Sequence, residues 1–269
     1  MKTSRLAAFL PLMLACGTAF ASTITLGSIA TNDIAVFGFD SGFPSTSSVN
    51  VVNSGSHIDV TGNVVSPVVT NAAGLTFTAG SGTATPTTTE ENDLASVVTQ
   101  LNALSYTSDT ITSGATNVIS TPGDYTINGV LGANTVIDLT GPGPYVFKTS
   151  GNLDLTNVTI NDENASLSSD DVFWYTTGTV DIENSKVFGD VVQASGANNI
   201  LETASAGGTL SGSLTGRFLS EGFTTGLTAV QASTLTINAF QAGDTPEPTT
   251  FALVFLGFAG LAAKVRRRR

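Results

Sequence analysis

Two pairs of adjacent carboxylates are the first candidates for acid–base chemistry in this sequence. Asp170-Asp171 and Asp162-Glu163 supply the residue type that glycan hydrolases use as general acid and general base. Adjacent residues of a strand point to opposite faces of a sheet, so the two carboxylates of a pair would not converge on one bond. We therefore expect solvated turn carboxylates that cap loops here, and the sequence predicts that the protein is not an enzyme.

The single histidine, His57, has Ser56 and Asp59 beside it and so offers the residue types of a catalytic triad. A nucleophilic serine needs a tight strand-to-helix elbow, and no such motif surrounds Ser56. No EF-hand loop and no Gly-Gly-x-Gly-x-Asp repeat marks a calcium site either. We expect a structural histidine, no cofactor and no metal site.

Threonine is the most abundant candidate for a binding surface, with 41 copies beside 28 glycines. A β-branched hydroxyl side chain favours a pleated, half-exposed position on a strand. Six threonines on or beside predicted strands are the candidate ligand-binding residues: Thr156, Thr159, Thr177, Thr179, Thr234 and Thr236. Either they fill exposed pleats without further role, or they align on one flat face that binds a ligand.

The N-terminus has the three parts of a secretory signal peptide. A basic start, Met1 to Arg5, precedes an apolar core from Leu6 to Cys16, and Ala19-Phe20-Ala21 supplies small residues for cleavage. We assign residues 1–21 to this signal. A lipoprotein reading through Cys16 is disfavoured, because Met13-Leu14-Ala15 fits a lipobox poorly.

The C-terminus has a matching three-part tail. Pro246-Glu247-Pro248 precedes an uncharged run at 249–263, and Lys264 with four arginines ends the chain. The arrangement resembles the PEP-CTERM sorting signal, which implies a transient partner, a membrane-embedded exosortase, that cuts near the tripeptide. The run has 15 residues, fewer than the roughly 20 that span a bilayer, which favours sorting over the alternative of a plain single-span anchor. The tail at 245–269 would hold the protein at the membrane until it is processed, with a short membrane segment at 249–263.

The body between the two signals, residues 22–244, is strongly acidic. It keeps only Lys148, Lys186 and Arg217 as bases, so its formal charge is about −17. Such a charge excludes nucleic acid and anionic lipid as partners and leaves no set of cations to hold an acidic sugar for cleavage. The sole cysteine lies in the leader, so one disulfide-free domain with its own core is expected.

One helix and many short strands are predicted for the body. Thr87 with Glu90 forms a capping box, and Leu94, Val97, Val98 and Leu101 recur at three- and four-residue steps, which predicts a helix at about 90–104. From Ile111 to Ile237 short alternating runs are divided by Gly, Asn, Asp and Pro. Their spacing fits a sandwich or a β-solenoid, and the scarcity of two-residue hairpin signals favours the solenoid.

Seven short motifs in order resemble the ice-binding-like family of secreted microbial proteins. They are Asp33–Gly38, Val60–Pro67, Thr121–Tyr125, Gly143–Phe147, Asp171–Tyr175, Val187–Val192 and Leu214–Leu219, and the predicted helix stands in the expected place between the second and the third. The resemblance implies a mainly β fold: a right-handed, discontinuous parallel β-helix with one long α-helix packed along its side.

The family resemblance implies an exported binding protein at the cell surface or in the extracellular matrix, with ice or extracellular polysaccharide as its partner. Ice-binding members present flat rows of Thr, Ser and Ala. This chain departs from that pattern, because the outward positions expected here include six carboxylates: Asp138, Asp154, Asp162, Glu163, Asp181 and Glu183. The alternative is a structural or adhesive component of an exopolysaccharide or biofilm matrix without affinity for ice.

Overall fold

The computed structural model describes residues 24–42, 45–54, 57–78, 81–108, 111–132, 134–162, 167–203, 211–230 and 234–239. Both terminal signals and the side chain of Glu163 therefore lie outside the described residues, as does Ser56. The helices are α1 (Ser28–Thr31) and α2 (Thr88–Ala103), with 3₁₀ turns at Ala72–Gly74 and Ser169–Asp171.

The remaining elements are strands. In chain order they are β1 (Ile34–Gly38), β2 (Ser48–Ser54), β3 (His57–Thr61), β4 (Asn63–Val65), β5 (Val68–Thr70), β6 (Leu75–Phe77), β7 (Thr83–Ala84), β8 (Thr107–Ser108), β9 (Thr116–Ile119), β10 (Gly123–Thr126), β11 (Val130–Leu131), β12 (Thr135–Leu139), β13 (Tyr145–Lys148), β14 (Leu153–Leu155), β15 (Val158–Asp162), β16 (Val172–Thr176), β17 (Val180–Asp181), β18 (Lys186–Phe188), β19 (Asp190–Thr203), β20 (Gly212–Thr215), β21 (Phe218–Val230) and β22 (Thr234–Asn238).

These strands stack in parallel on three faces of a β-solenoid. The helix face has the order β7-β4-β1-β21-β19-β16-β13-β10-β8, and a second face joins β5 and β2 to the far half of β21, and β17, β14 and β11 to β19. The third face is a separate eight-stranded sheet, β6-β3-β22-β20-β18-β15-β12-β9. The predicted parallel β-solenoid is confirmed.

The coils of the solenoid do not follow one another in chain order. The coil of β1, β2 and β3 lies between the coil of β4, β5 and β6 and the coil formed by β21 and β22. The chain then leaves that end through β7, and α2 connects it to β8 at the other end. This is the discontinuity that the resemblance implies.

The predicted helix lies on the outside of the helix face. It begins with the expected capping box: the Thr87 hydroxyl accepts a hydrogen bond from the Glu90 N–H, and the Glu90 carboxylate accepts one from the Thr87 N–H. Its apolar stripe, which includes Leu94, Val97 and Leu101, packs on the outward side chains of the sheet. The side chains on both sides of that sheet, those facing the solenoid interior and those facing α2, are therefore buried.

The aromatic strand β16 shows the result of double burial. Trp174 points into the solenoid and stacks on Phe147, with ring centroids 4.4 Å apart. Phe173 and Tyr175 point outward and are covered by α2, where the Tyr175 hydroxyl donates to the Asn102 side chain. The aromatic run is thus core on both sides.

Candidate binding surface

The eight-stranded sheet has outward side chains that are half-buried or exposed in the described residues. At one end of this sheet they include six threonines, here called the threonine patch: Thr61, Thr76, Thr78, Thr215, Thr234 and Thr236. They come from β3, β20 and β22 and from β6 with the residue after it.

Strand register aligns the patch into rows. In one row Ser213 pairs with Thr236, Thr236 with Asp59, and Asp59 with Thr76. In the next row Thr215 pairs with Asn238 and Asn238 with Thr61, whose hydroxyl lies 3.0 Å from the hydroxyl of Thr78. Neighbours within a row are about 4.8 Å apart, and the rows are separated by about 6.6 Å. The rows therefore combine the hydroxyl and methyl groups of threonine with the side chains of Asp59 and Asn238.

Besides Asn238, two ionisable side chains stand between or beside the threonines of these rows. Asp59 lies between Thr236 and Thr76 within the first row, and exposed His57 pairs with Thr234. Because a carboxylate holds its own hydration shell, Asp59 is the position where the patch departs most from a surface suited to ordered water.

The structure separates the six threonines selected from the sequence. Thr234 and Thr236 lie in the patch, and Thr159 lies on the same sheet, on β15. Thr156 is at the corner before β15, where its hydroxyl donates to Asp154. Thr177 and Thr179 lie between β16 and β17, away from this sheet. The six therefore do not form one surface.

Four residues of the patch were not selected from the sequence: Thr61, Thr76, Thr78 and Thr215. Thr76 and Thr78 repeat the Thr-x-Thr spacing of β22, which is a local signal of an exposed pleat. Nothing local places β3 and β6 beside β22, since more than 150 residues of chain separate them. The interleaved order of the coils creates the patch.

The carboxylate pair Asp170-Asp171 caps a turn, as expected, but Asp170 also forms an ion pair instead of being only solvated. It lies in a 3₁₀ turn, where Asp171 accepts a hydrogen bond from the Ser168 N–H and Asp170 forms an ion pair with Arg217. The Arg217 guanidinium is fully buried, and a second partner, Asp190, lies 3.3 Å from it and is also fully buried. Asp162 is half-buried at the end of β15.

Burial shifts the ionisation of this cluster. Loss of hydration raises the pKa of the Asp190 carboxyl to about 7, although Arg217 opposes the rise. Burial also raises the pKa of Asp171 and of Glu221. A raised carboxyl pKa means that the folded protein holds a proton that the unfolded chain has already released, so this contribution to stability is lost as the pH rises.

We expect the melting temperature to be higher at pH 5 than at pH 8. For Asp190 the loss runs from about pH 4, where the unfolded carboxyl titrates, to about pH 7, and then levels off. Thermal unfolding at constant ionic strength between pH 4.5 and pH 9 measures it. The variant Asp190→Asn should flatten the profile, and a wild-type profile that rises towards pH 8 would contradict the assignment.

Neither a cluster of metal ligands nor a membrane-spanning helix is present in the described part of the chain. It contains no group of three or more His, Cys, Asp or Glu side chains placed to hold a metal ion. None of its helices combines the length and the apolar character needed to cross a bilayer.

Solved structures similar to this chain are ice-binding proteins. One from an Antarctic bacterium of the Flavobacteriaceae matches with a TM-score of 0.59 and 22% identity over 85% of this chain. This is the fold of ice-binding proteins. A second, from an Antarctic biological consortium, has a TM-score of 0.56 and 15% identity over 86% of this chain and 96% of its own. A third, from the Antarctic ascomycete Antarctomyces psychrotrophicus, has a TM-score of 0.51 and 14% identity, covering 82% of this chain and 100% of its own.

The chain spans about half, 52%, of the length of the Flavobacteriaceae protein. A comparison with curated proteins gave no match. Residues 244–269 match the PEP-CTERM protein-sorting motif, so the ice-binding-like fold carries a sorting motif that implies export and surface sorting.

Proposed function

We propose that this protein is exported, sorted to the cell surface and binds ice through the threonine patch. The observation that supports the proposal is the register of β20, β22, β3 and β6, which aligns threonines from these strands, together with Thr78, on the outward side of one sheet. The solved proteins of the same fold are described as ice-binding.

Threonine suits this role because it presents a hydroxyl and a methyl group together. Strands in a parallel sheet hold these groups at fixed spacings. Water on the surface can therefore adopt an ordered arrangement before the protein contacts ice. Binding to ice then costs less entropy, because the side chains and the water on a preorganised surface are already partly ordered.

We expect Asp59→Thr to strengthen ice binding. The change replaces the charge between Thr236 and Thr76 with a third threonine in the same row. The side chain is half-buried on the surface, so stability should change by no more than about 0.5 kcal/mol. Ice-crystal shaping and partition into ice, measured with the exported protein, should both increase.

The matched control is Asp138→Thr, which removes an outward carboxylate from β12 of the same sheet, far from the patch. It should leave ice shaping unchanged. The blocking variant Thr236→Tyr should abolish shaping at an unchanged melting temperature. If the wild-type protein neither shapes ice nor partitions into it, the ice function is wrong; equal effects of Asp59→Thr and Asp138→Thr would reject this patch as the site.

We further propose that an exosortase processes the tail near Pro246-Glu247-Pro248, within the sorting motif at 244–269. The mature protein should then lack Phe251 to Arg269, and Glu247→Ala should leave an unprocessed, membrane-bound form. Intact-mass analysis of protein from membrane and extracellular fractions measures both. A complete tail on mature wild-type protein would reduce the segment to an ordinary anchor.

A further inference from the structure

The eight-stranded sheet has a second surface, chemically unlike the threonine patch. It is formed by β12, β15 and β18 and is here called the amide surface: Asn134, Asn157, Asn161, Asn184, Lys186 and Phe188. From it we propose that this part of the sheet binds a neutral polysaccharide, in addition to the ice function of the patch.

Three of the amides form a ladder along the corner of the solenoid. Asn134, Asn157 and Asn184 each precede a strand and each have a left-handed backbone, with φ of 62°, 54° and 48°. The Asn184 amide donates a hydrogen bond to the Asn157 side-chain oxygen. A primary amide carries two N–H groups and an oxygen with two lone pairs, so this one bond leaves the ladder with capacity to donate and accept further.

The centre of the surface has the mixed chemistry that recognises a sugar ring. Phe188 of β18 is half-buried: part of its side chain packs against the solenoid core and part is exposed, with Thr215 paired to it on one side and Asn161, by the register of Thr159 with Lys186, on the other. The Asn161 amide in turn donates to Asp138 at 2.9 Å. An aromatic side chain offers an apolar contact for the C–H groups of a sugar, while amides and a carboxylate bond to its hydroxyls.

Charge decides the kind of polysaccharide. The surface carries one exposed cation, Lys186, while three half-buried carboxylates, Asp138, Asp162 and Glu183, lie in or beside it, so it offers no excess of cations to an acidic glycan. The body around it has a formal charge of about −17 and repels a polyanion over the length of the chain. Strands about 4.8 Å apart repeat the amides along the solenoid axis, a step similar in size to one sugar of an extended chain. A neutral, hydroxyl-rich glycan lying along the axis fits these features.

Affinity electrophoresis of the exported protein through gels that contain neutral glucans or galactomannans tests the proposal. Retardation is expected for the wild-type protein, and roughly tenfold weaker retardation for Phe188→Ala. Because Phe188→Ala removes a half-buried ring, Asn184→Gly is the second variant: glycine accepts the left-handed backbone, so only the amide is lost. It should weaken binding several-fold at a nearly unchanged melting temperature.

Thr236→Tyr is the matched control, since it blocks the patch and leaves the amide surface intact; retardation should be unchanged. Ice shaping measured on the same variants separates the two functions, because Asn184→Gly should not affect it. No retardation by any neutral glycan overturns the proposal, as does retardation that neither Phe188→Ala nor Asn184→Gly reduces. Binding confined to acidic polysaccharides overturns it too.

Discussion

Replacing Arg217 with methionine is expected to destabilise the protein by about 3–5 kcal/mol at pH 8, because the buried Asp190 carboxyl must then either stay charged without its cation or take up a proton against the pH. Arg217 and Asp190 are both fully buried, and the Arg217 N–H also donates to the Asp190 carboxylate at 2.7 Å. The other partner of Arg217, Asp170, is partly exposed. For a domain of about 220 residues this loss corresponds to a fall in melting temperature of roughly 10 °C.

The double variant Arg217→Met with Asp190→Asn distinguishes an unpaired charge from lost packing. It removes the buried charge together with its partner, so it should recover much of the stability that Arg217→Met loses. Lys186→Met is the matched control for loss of a cation, since Lys186 is exposed, and its effect should stay within about 0.5 kcal/mol. Thermal and urea unfolding measure all three. Equal losses for the single and the double variant would show that packing of the Arg217 side chain dominates.

The second large effect is expected for Gly216→Ala. Gly216 turns the chain from β20 into Arg217 with a φ of 140°, and a Cβ at this position would lie 2.2 Å from the Gly189 carbonyl oxygen. Gly189 turns the neighbouring coil at the equivalent corner, so the obstacle is backbone that two coils hold in place. Strain and overlap together should cost about 2–6 kcal/mol.

Gly82→Ala provides the control, because a Cβ there meets no atom within 4 Å. Its effect on the free energy of unfolding should stay within about 1 kcal/mol. Urea unfolding of the two variants tests the contrast. Similar stabilities would mean that the corner between β20 and β21 can relax, contrary to the close stacking seen here.

Local patterns in the sequence predicted the local elements well. The helix was expected at about 90–104 and is Thr88–Ala103, because the capping box and the apolar stripe depend only on residues close in sequence. Alternation likewise indicated short strands such as β12 and β15. The short helix α1 was not predicted; the Asp93 carboxylate accepts hydrogen bonds from the N–H and hydroxyl of Ser28 at its start, a contact across 65 residues.

The binding surfaces could not be predicted in the same way. Whether two threonines are neighbours depends on strand register and on the order of the coils. Neither can be recognised from the sequence of a single strand. Thr236 and Thr76 show this, because they belong to one row although their strands are far apart in the chain. The ion pairs of Arg217 were not predicted for a related reason, because Asp170 and Asp190 come from separate coils.

The interleaved coils also determine when the protein can fold. Strands β1, β2 and β3 receive their partners on one side from β21 and β22, and Val36 pairs with Phe218. Contacts so distant in sequence give a high contact order, and folding that depends on them is slow. A chain exported from its N-terminus therefore keeps the edges of its first strands open until its last strands have crossed the membrane. A strand edge left open in this interval can pair with another chain, so we expect the chain to need protection from aggregation until β21 and β22 are in place.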